Sequence, residues 1–240
     1  MSPLELELLA WDSKFLGFAV SRAVVPLPGA AAVAAVVAQA RAQGARLLYL
    51  LLDPADEAAA VAACAAGAYL ADRKVTFSRA VGAVPGQLAD TEQVVAVSNF
   101  SPELEALVWQ SGEYSRFRRD PGFAPDVFER LYSHWLRASL NGELARTVLA
   151  WAGPDGTPTG LLTLQAHGVQ ASIGLLAVQA GQRGRGQGRA LVAAALRTAQ
   201  HWGCERLSVV TQLDNLPACC FYTSMGFAIE HQENVCHLWL

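Results

Sequence analysis

Between Ile173 and Leu191 a strand-like apolar stretch runs into a loop with three alternate glycines, and the loop opens an amphipathic helix. The loop reads Gln182-Arg183-Gly184-Arg185-Gly186-Gln187-Gly188-Arg189. Alternate glycines let the backbone turn tightly and remove the Cβ atoms that would hold a ligand away. The N–H groups of the loop and of the first helical turn have no partners inside the helix, so they form a seat for phosphate or pyrophosphate. Arg183, Arg185 and Arg189 add positive charge where a polyanion would lie. Two familiar glycine loops do not fit. A Walker loop needs G-x-x-x-x-G-K before Ser or Thr, and here Gly181 to Gly186 is followed by Gln187. A dinucleotide fingerprint needs G-x-G-x-x-G/A, but its last position falls on Arg189 counted from Gly184 and on Leu191 counted from Gly186. The spacing present is R/Q-x-x-G-x-G/A, from Arg183 to Gly188.

Composition supports a folded enzyme-sized chain. Hydrophobic residues are 52% of the 240 and charged residues 16%, enough for a sizeable core and unlike a disordered chain. The net charge of −3 gives no reason to expect nucleic acid as a partner. Five cysteines form no C-x-x-C pair, which reads as reduced thiols in a cytoplasmic protein. Adjacent Cys219 and Cys220 suit neither a zinc knuckle nor an easy disulfide, so a buried structural role is expected for them. Glu5 and Glu7 argue against a signal peptide. The longest Ala/Val-rich stretch, Gly29 to Ala40, is too short to span a membrane, which needs about 20 apolar residues. No membrane insertion is expected.

The first part of the chain reads as alternating helix and strand. Helices are expected at Ala30–Gln43 and Asp56–Ala66, a buried strand at Arg46–Leu52, and a strand pair between Ala68 and Val81. The turn-rich run Gly82-Ala-Val-Pro-Gly86 reads as a linker, dividing the chain into residues 1–85 and 86–240. Beyond it, helices are expected at Pro102–Gln110 and Pro125–Leu140, and strands at Arg146–Ala152, Gly160–His167 and Ser172–Val178. A helix at Gln187–Trp202, a strand at Arg206–Thr211, a short helix after Pro217 and two closing strands near Phe227–His231 and Val235–Leu240 complete the reading.

Downstream of the loop, Asn215-Leu-Pro-Ala218-Cys-Cys-Phe221-Tyr222-Thr-Ser-Met-Gly226-Phe227 places a helix cap, a Pro-tolerant first turn and a glycine stop in order. With both motifs at this separation, the chain from about Val94 to Leu240 resembles the GCN5-related N-acetyltransferase (GNAT) family. The resemblance implies an α/β fold: a central mixed, mostly antiparallel sheet flanked by helices, with a smaller N-terminal α/β domain ahead of it. It implies acetyl-CoA as acetyl donor and no metal. Backbone groups of Leu176, Ala177 and Val178 would contact the pantetheine arm and thioester. The loop from Gln182 through Arg183, Gly184, Arg185, Gly186, Gln187, Gly188 and Arg189 would hold the pyrophosphate. Asn215 would bond the arm, cap its helix, or both. Tyr222 would be the general acid, since a phenol with pKa near ~10 can protonate a thiolate whose acid lies near ~8.5 when the two are in contact. No general base stands out. His167, Glu113, Asp120, Glu143, His231 and a water chain all stay open.

Two further segments are similar to dTDP-fucosamine acetyltransferases: Trp11-Asp-Ser-Lys-Phe-Leu-Gly-Phe18, and Ser115-Arg-Phe-Arg-Arg-Asp120. This likeness implies acetylation of the 4-amine of dTDP-4-amino-4,6-dideoxygalactose for surface polysaccharide synthesis, by a homodimer whose N-terminal domain lacks an acetyl-CoA loop. In the residues themselves, Arg116, Arg118 and Arg119 could offset a diphosphate, while Tyr114 and Phe117 could stack on a base or sugar. Which arginine does so is open at this point. The alternatives are an enzyme for another small amine or a protein N-terminus, or a non-catalytic acyl-CoA-binding module.

Overall fold

A computed structural model describes residues 6–82 and 91–240. The expected linker, and with it the division at residues 85 and 86, lies outside the described residues except for Gly82.

The first half opens with β1 (Leu6–Leu8), α1 (Ala10–Leu16) and β2 (Val20–Val24). Helix α2 (Ala30–Ala42) stops before Gly44, whose φ of 72° is the left-handed exit a glycine provides. Strand β3 (Leu47–Leu52) follows, then α3 (Glu57–Ala65), capped by Asp56, which accepts the Ala59 N–H at 2.9 Å. Alternate side chains of β3 serve different cores: Leu48, Leu50 and Leu52 pack with the buried faces of α2 and α3, while Leu47 and Tyr49 point the other way. The strand pair expected next is instead one 12-residue strand, β4 (Tyr69–Ala80). It contains no glycine or proline that would break it, and its charged middle keeps pairing partners on both sides.

The second half begins with β5 (Val94–Val97), α4 (Pro102–Ser111), the one-turn α5 (Arg116–Arg119) and α6 (Val127–Leu140). Strands β6 (Thr147–Ala152), β7 (Pro158–His167) and β8 (Gln170–Val178) form an antiparallel meander. Then come α7 (Gln187–His201), β9 (Arg206–Gln212), α8 (Leu216–Ser224) and β10 (Ala228–Trp239). Two closing strands were expected where β10 is one. Bulges beside Ile229 and Val235 let it bend without losing its bonds to β4, and β3 pairs its other edge from Asn234 to Trp239.

The ten strands of the described residues join one sheet in the order β1-β2-β3-β10-β4-β9-β8-β7-β6-β5. Only β2–β3 and β8–β9 pair in parallel among the described residues. Strand β4, from the first half of the chain, therefore lies between β9 and β10 of the second. Helices α4 and α6 pack on one face with Tyr49 and Leu175; α7 and Tyr222 of α8 pack on the other with Phe77 and Leu164. Cys204 and Cys236 are buried, but Cys219 is half-buried and Cys220 exposed. The pair is not buried as expected, because α8 buries only the face that carries Tyr222. No helix among the described residues is long and apolar enough to cross a membrane.

Candidate active site

The site grows from a fault in the sheet. Strands β8 and β9 pair from Gln170↔Arg206 to Ile173↔Val209 and then part, although β8 runs on to Val178 and β9 to Gln212. The cause lies in β8 itself. Gly174 and Leu175 together oppose the single residue Thr163 of β7, a bulge between the pairs Leu164↔Ile173 and Leu162↔Leu176. Thr163 Oγ1 accepts the Leu175 N–H at 2.8 Å, and a Cβ on Gly174 would stand 2.9 Å from that same oxygen. Only glycine fits there without a shift.

The parting strands open into a cavity of about 520 Å³. One side is Gly174 to Leu176 of β8, Val209 to Gln212 of β9, and Asn215, Ala218 and Tyr222 at α8. The opposite side comes from the first half and the one-turn helix: Trp11 and Asp12 on α1, Tyr49 on β3, Asp72 and Lys74 on β4, and Arg116 on α5. A smaller recess of about 140 Å³ adjoins the glycine loop, between Leu176–Val178, Arg183 and Asn215 on one side and Gln110, Glu113 and Tyr114 on the other.

Of the residues expected to hold acetyl-CoA, Leu176, Ala177, Val178, Arg183 and Asn215 line these cavities. Gln182, Gly184, Arg185, Gly186, Gln187, Gly188 and Arg189 line neither and lie along the loop and the start of α7. Gly184 and Gly186 take φ of 77° and 85°, and Gly186 caps α7 in the left-handed region. Gln182 ends a short 3-10 turn and Arg185 is exposed on the loop. Arg183 Nε donates to the Val178 carbonyl at 3.2 Å, so that carbonyl is already engaged. Gln187 is buried and accepts the Thr159 hydroxyl at 3.1 Å, which ties the start of α7 to β7. Gly188 lets the Phe221 ring approach to 3.4 Å of where a Cβ would be. Arg189 donates to Ser224 Oγ at 3.1 Å, bracing α7 against the end of α8. Asn215 Oδ1 accepts the Ala218 N–H at 3.2 Å, a helix cap, while the residue also lines both cavities.

Tyr222 is buried among Phe77, Phe221 and Phe227 with ring centroids 5.3 to 5.9 Å apart, and it lines the larger cavity. Burial pushes its phenol pKa up, so it stays protonated at neutral pH.

The structure separates the five residues considered for the acceptor, and Arg119 lines neither cavity. Arg116 and Phe117 reach the larger cavity, Tyr114 lines the smaller one beside Arg183, and Arg118 lines neither. A single helical turn explains this, since successive residues point about 100° apart. Arg116 turns inward, whereas Arg118 is exposed over the Phe128 ring and Arg119 over Tyr114. Phe117 is packed against Phe123 and Trp135, so its ring serves the core.

Of the bases left open, Glu113 lines the smaller recess, and His167, Glu143 and His231 are exposed and line neither cavity. Asp120 is buried in bonds to His237, Trp239 and the Gly122 N–H. Burial alone would raise its pKa, but the bonds from His237, Tyr69 and the Gly122 N–H bring it down to about 2.

Two carboxylates that the sequence did not single out line the larger cavity, Asp12 and Asp72, and burial raises the pKa of both. Asp72 Oδ1 is buried with no hydrogen-bond partner among the described residues. Burial raises its pKa to about 6, against the opposing charge of Arg116 and a bond from Gln212. Its segment Ala71-Asp72-Arg73-Lys74 reads as solvated surface. The strand alternation that places Asp72 and Lys74 on one face was the available signal.

The sheet thus parts beside a glycine loop, with a buried phenol at the parting. The model of the Acetyltransferase (GNAT) family matches residues 100–227. The chain belongs to that family and is an acetyltransferase.

It is similar to the dTDP-fucosamine acetyltransferase of Escherichia coli O6:H1, with 29% identity over 231 residues, 94% of each chain. It is also 27% identical over 125 residues to the spore coat polysaccharide biosynthesis protein SpsD of Bacillus subtilis, covering 52% of this chain and 43% of that one. Among solved structures, a GCN5-related N-acetyltransferase from Sphaerobacter thermophilus shares the fold with a TM-score of 0.64 at 17% identity, covering 97% of this chain and 75% of the other.

Proposed function

We propose that this acetyltransferase moves the acetyl group of acetyl-CoA to the 4-amine of a dTDP-linked 4-amino-4,6-dideoxyhexose, dTDP-4-amino-4,6-dideoxygalactose. The observation that carries the acceptor is the span of the similarity to the dTDP-fucosamine enzyme, 94% of both chains. A match of that length takes in β4, whose Asp72 and Lys74 line the larger cavity. The donor lies on the glycine-loop side, its pyrophosphate against the loop and first turn of α7 and its arm along Leu176 to Val178. The nucleotide sugar enters from the side of α1 and α5. The reading includes a cytoplasmic location and a homodimer, and light scattering tests the latter.

The chemistry then follows from two side chains. Asp72, ionised above about pH 6, takes a proton from the sugar ammonium. The freed nitrogen attacks the thioester carbon, the C–S bond breaks and the thiolate receives the proton of Tyr222; the proton the nitrogen sheds as the amide forms restores the phenol, and Asp72 releases its own to solvent. The burial that keeps the phenol protonated also makes a thiolate beside it more basic, which favours the transfer. Mass spectrometry of a reaction with acetyl-CoA and the dTDP-amino sugar tests the reading. An N-acetylated nucleotide sugar supports it, and unchanged sugar with bound acetyl-CoA refutes the acceptor.

A further inference from the structure

Arg116 opens α5 and lines the larger cavity, and its guanidinium is held on three sides. It lies over the Tyr49 ring at 4.1 Å and the Phe117 ring at 4.5 Å. Its Nη1 is 2.8 Å from His237 Nε2. A guanidinium only donates, so Nε2 accepts and the imidazole proton sits on Nδ1. From there it is donated to Asp120 Oδ2 at 2.6 Å. Asp120 also accepts the Trp239 indole N–H at 3.1 Å and the Gly122 N–H at 2.8 Å. His237 is 0% exposed, at the end of β10, and neither Tyr222 nor Asp72 bonds to any member of this chain of contacts. The catalytic step leaves it unexplained.

The charges around the cavity give it a purpose. Two other cations line that cavity, and each is already committed: Arg22 to Glu7 at 2.5 Å and Lys74 to Glu233 at 2.5 Å. Arg116 has no carboxylate ion-pair partner among the described residues. A carboxylate in the place of His237 would neutralise the guanidinium and could take two of its donors. A neutral imidazole takes one donor, fixes the plane and adds no negative charge to that of Asp12 and Asp72, which Arg116 faces across the cavity. Burial and the charge of Arg116 both disfavour a second proton on His237, against the pull of Asp120, so the acceptor nitrogen is kept.

We propose that Arg116 binds the diphosphate of the nucleotide sugar, and that His237 and Asp120 are positioning residues that hold its guanidinium toward the cavity. This rests on the nucleotide-sugar reading above and names the subsite for its charged linker. The indole of Trp239 and the backbone of Gly122 lock the far end of the relay, so the C-terminal strand itself aims the arginine.

The test uses the full chain and compares inhibition by dTDP with inhibition by thymidine, alongside KM for the dTDP-amino sugar. Wild type favours dTDP. In Arg116→Gln that preference falls roughly tenfold to a hundredfold, the worth of a charge-assisted contact, and the loss appears in KM for the sugar more than in kcat. His237→Asn keeps a donor for Asp120 but withdraws the acceptor from Arg116, so it shows part of the same loss. His237→Gln, whose Oε1 can accept from Arg116, recovers it. Calorimetric acetyl-CoA affinity equal to wild type verifies that each variant is folded. An Arg116→Gln enzyme that still prefers dTDP as wild type does overturns the subsite while leaving the acceptor reading intact. A wild-type enzyme that neither acetylates the nucleotide sugar nor binds dTDP overturns the acceptor reading and the subsite with it.

Discussion

Replacing Asp72 by Asn should cost activity and add stability, and the structure sets the size of both effects. In the folded chain burial lifts the Asp72 pKa from 3.8 to about 6. A raised carboxylate pKa means that the folded state disfavours the ionised form. The burden is absent below about pH 4, grows between there and about pH 6, and is fully present above it. A shift of about 2 units at about 1.4 kcal/mol per unit makes this about 3 kcal/mol as an upper figure. An isosteric amide removes it. For a chain of this size that is a rise of roughly 5–10 °C in Tm. The assay is thermal or urea denaturation of both proteins at pH 8 and pH 4.5. Asp72→Asn should be clearly more stable at pH 8, and the difference should shrink to about a third, about 1 kcal/mol, at pH 4.5.

The same variant should lose roughly 10²-fold to 10⁴-fold in kcat/KM, and with it the acid limb that the wild type shows near pH 6. A carboxylate kept for its structural bonds would lose stability on amidation, at pH 8 above all. Lower stability at pH 8 together with full activity would therefore refute the reasoning at both of its steps.

Tyr222→Phe should lower kcat by about 10²-fold while acetyl-CoA affinity, read by calorimetry, stays near wild type. Gly174→Ala brings a Cβ to 2.9 Å from Thr163 Oγ1, so it should destabilise by about 1–3 kcal/mol and raise KM for acetyl-CoA. Gly186→Ala meets no neighbour within 4 Å, and its cost is the φ of 85°, about 1 kcal/mol, with weaker CoA binding in titration calorimetry.

Much of the fold was legible because its signals are local. The alternate glycines before Gln187, the Asn215 cap with Pro217 behind it, and the apolar run of β3 each state their structure within a few residues. The place of β4 was not legible, since strand order is a tertiary property: nothing between Tyr69 and Ala80 says that β9 and β10 will flank it. That insertion is what carries Asp72 to the cavity, so its place there was hidden for the same reason. The arginines of α5 show a different limit. Four consecutive helical residues sample nearly all directions, and only packing decided that Arg116 faces in while Arg118 and Arg119 face out. His237 stayed silent because a lone histidine near a chain end has no motif; its partners Arg116 and Asp120 lie more than a hundred positions away.

The most direct test of the whole account is CoA release from acetyl-CoA with a panel of amines. The panel holds dTDP-4-amino-4,6-dideoxygalactose, its gluco epimer, a UDP-linked amino sugar and a simple polyamine. The account predicts fast release with the dTDP-galactose sugar and slow release with the rest. Release with the polyamine alone, or equally with every amine, would contradict it.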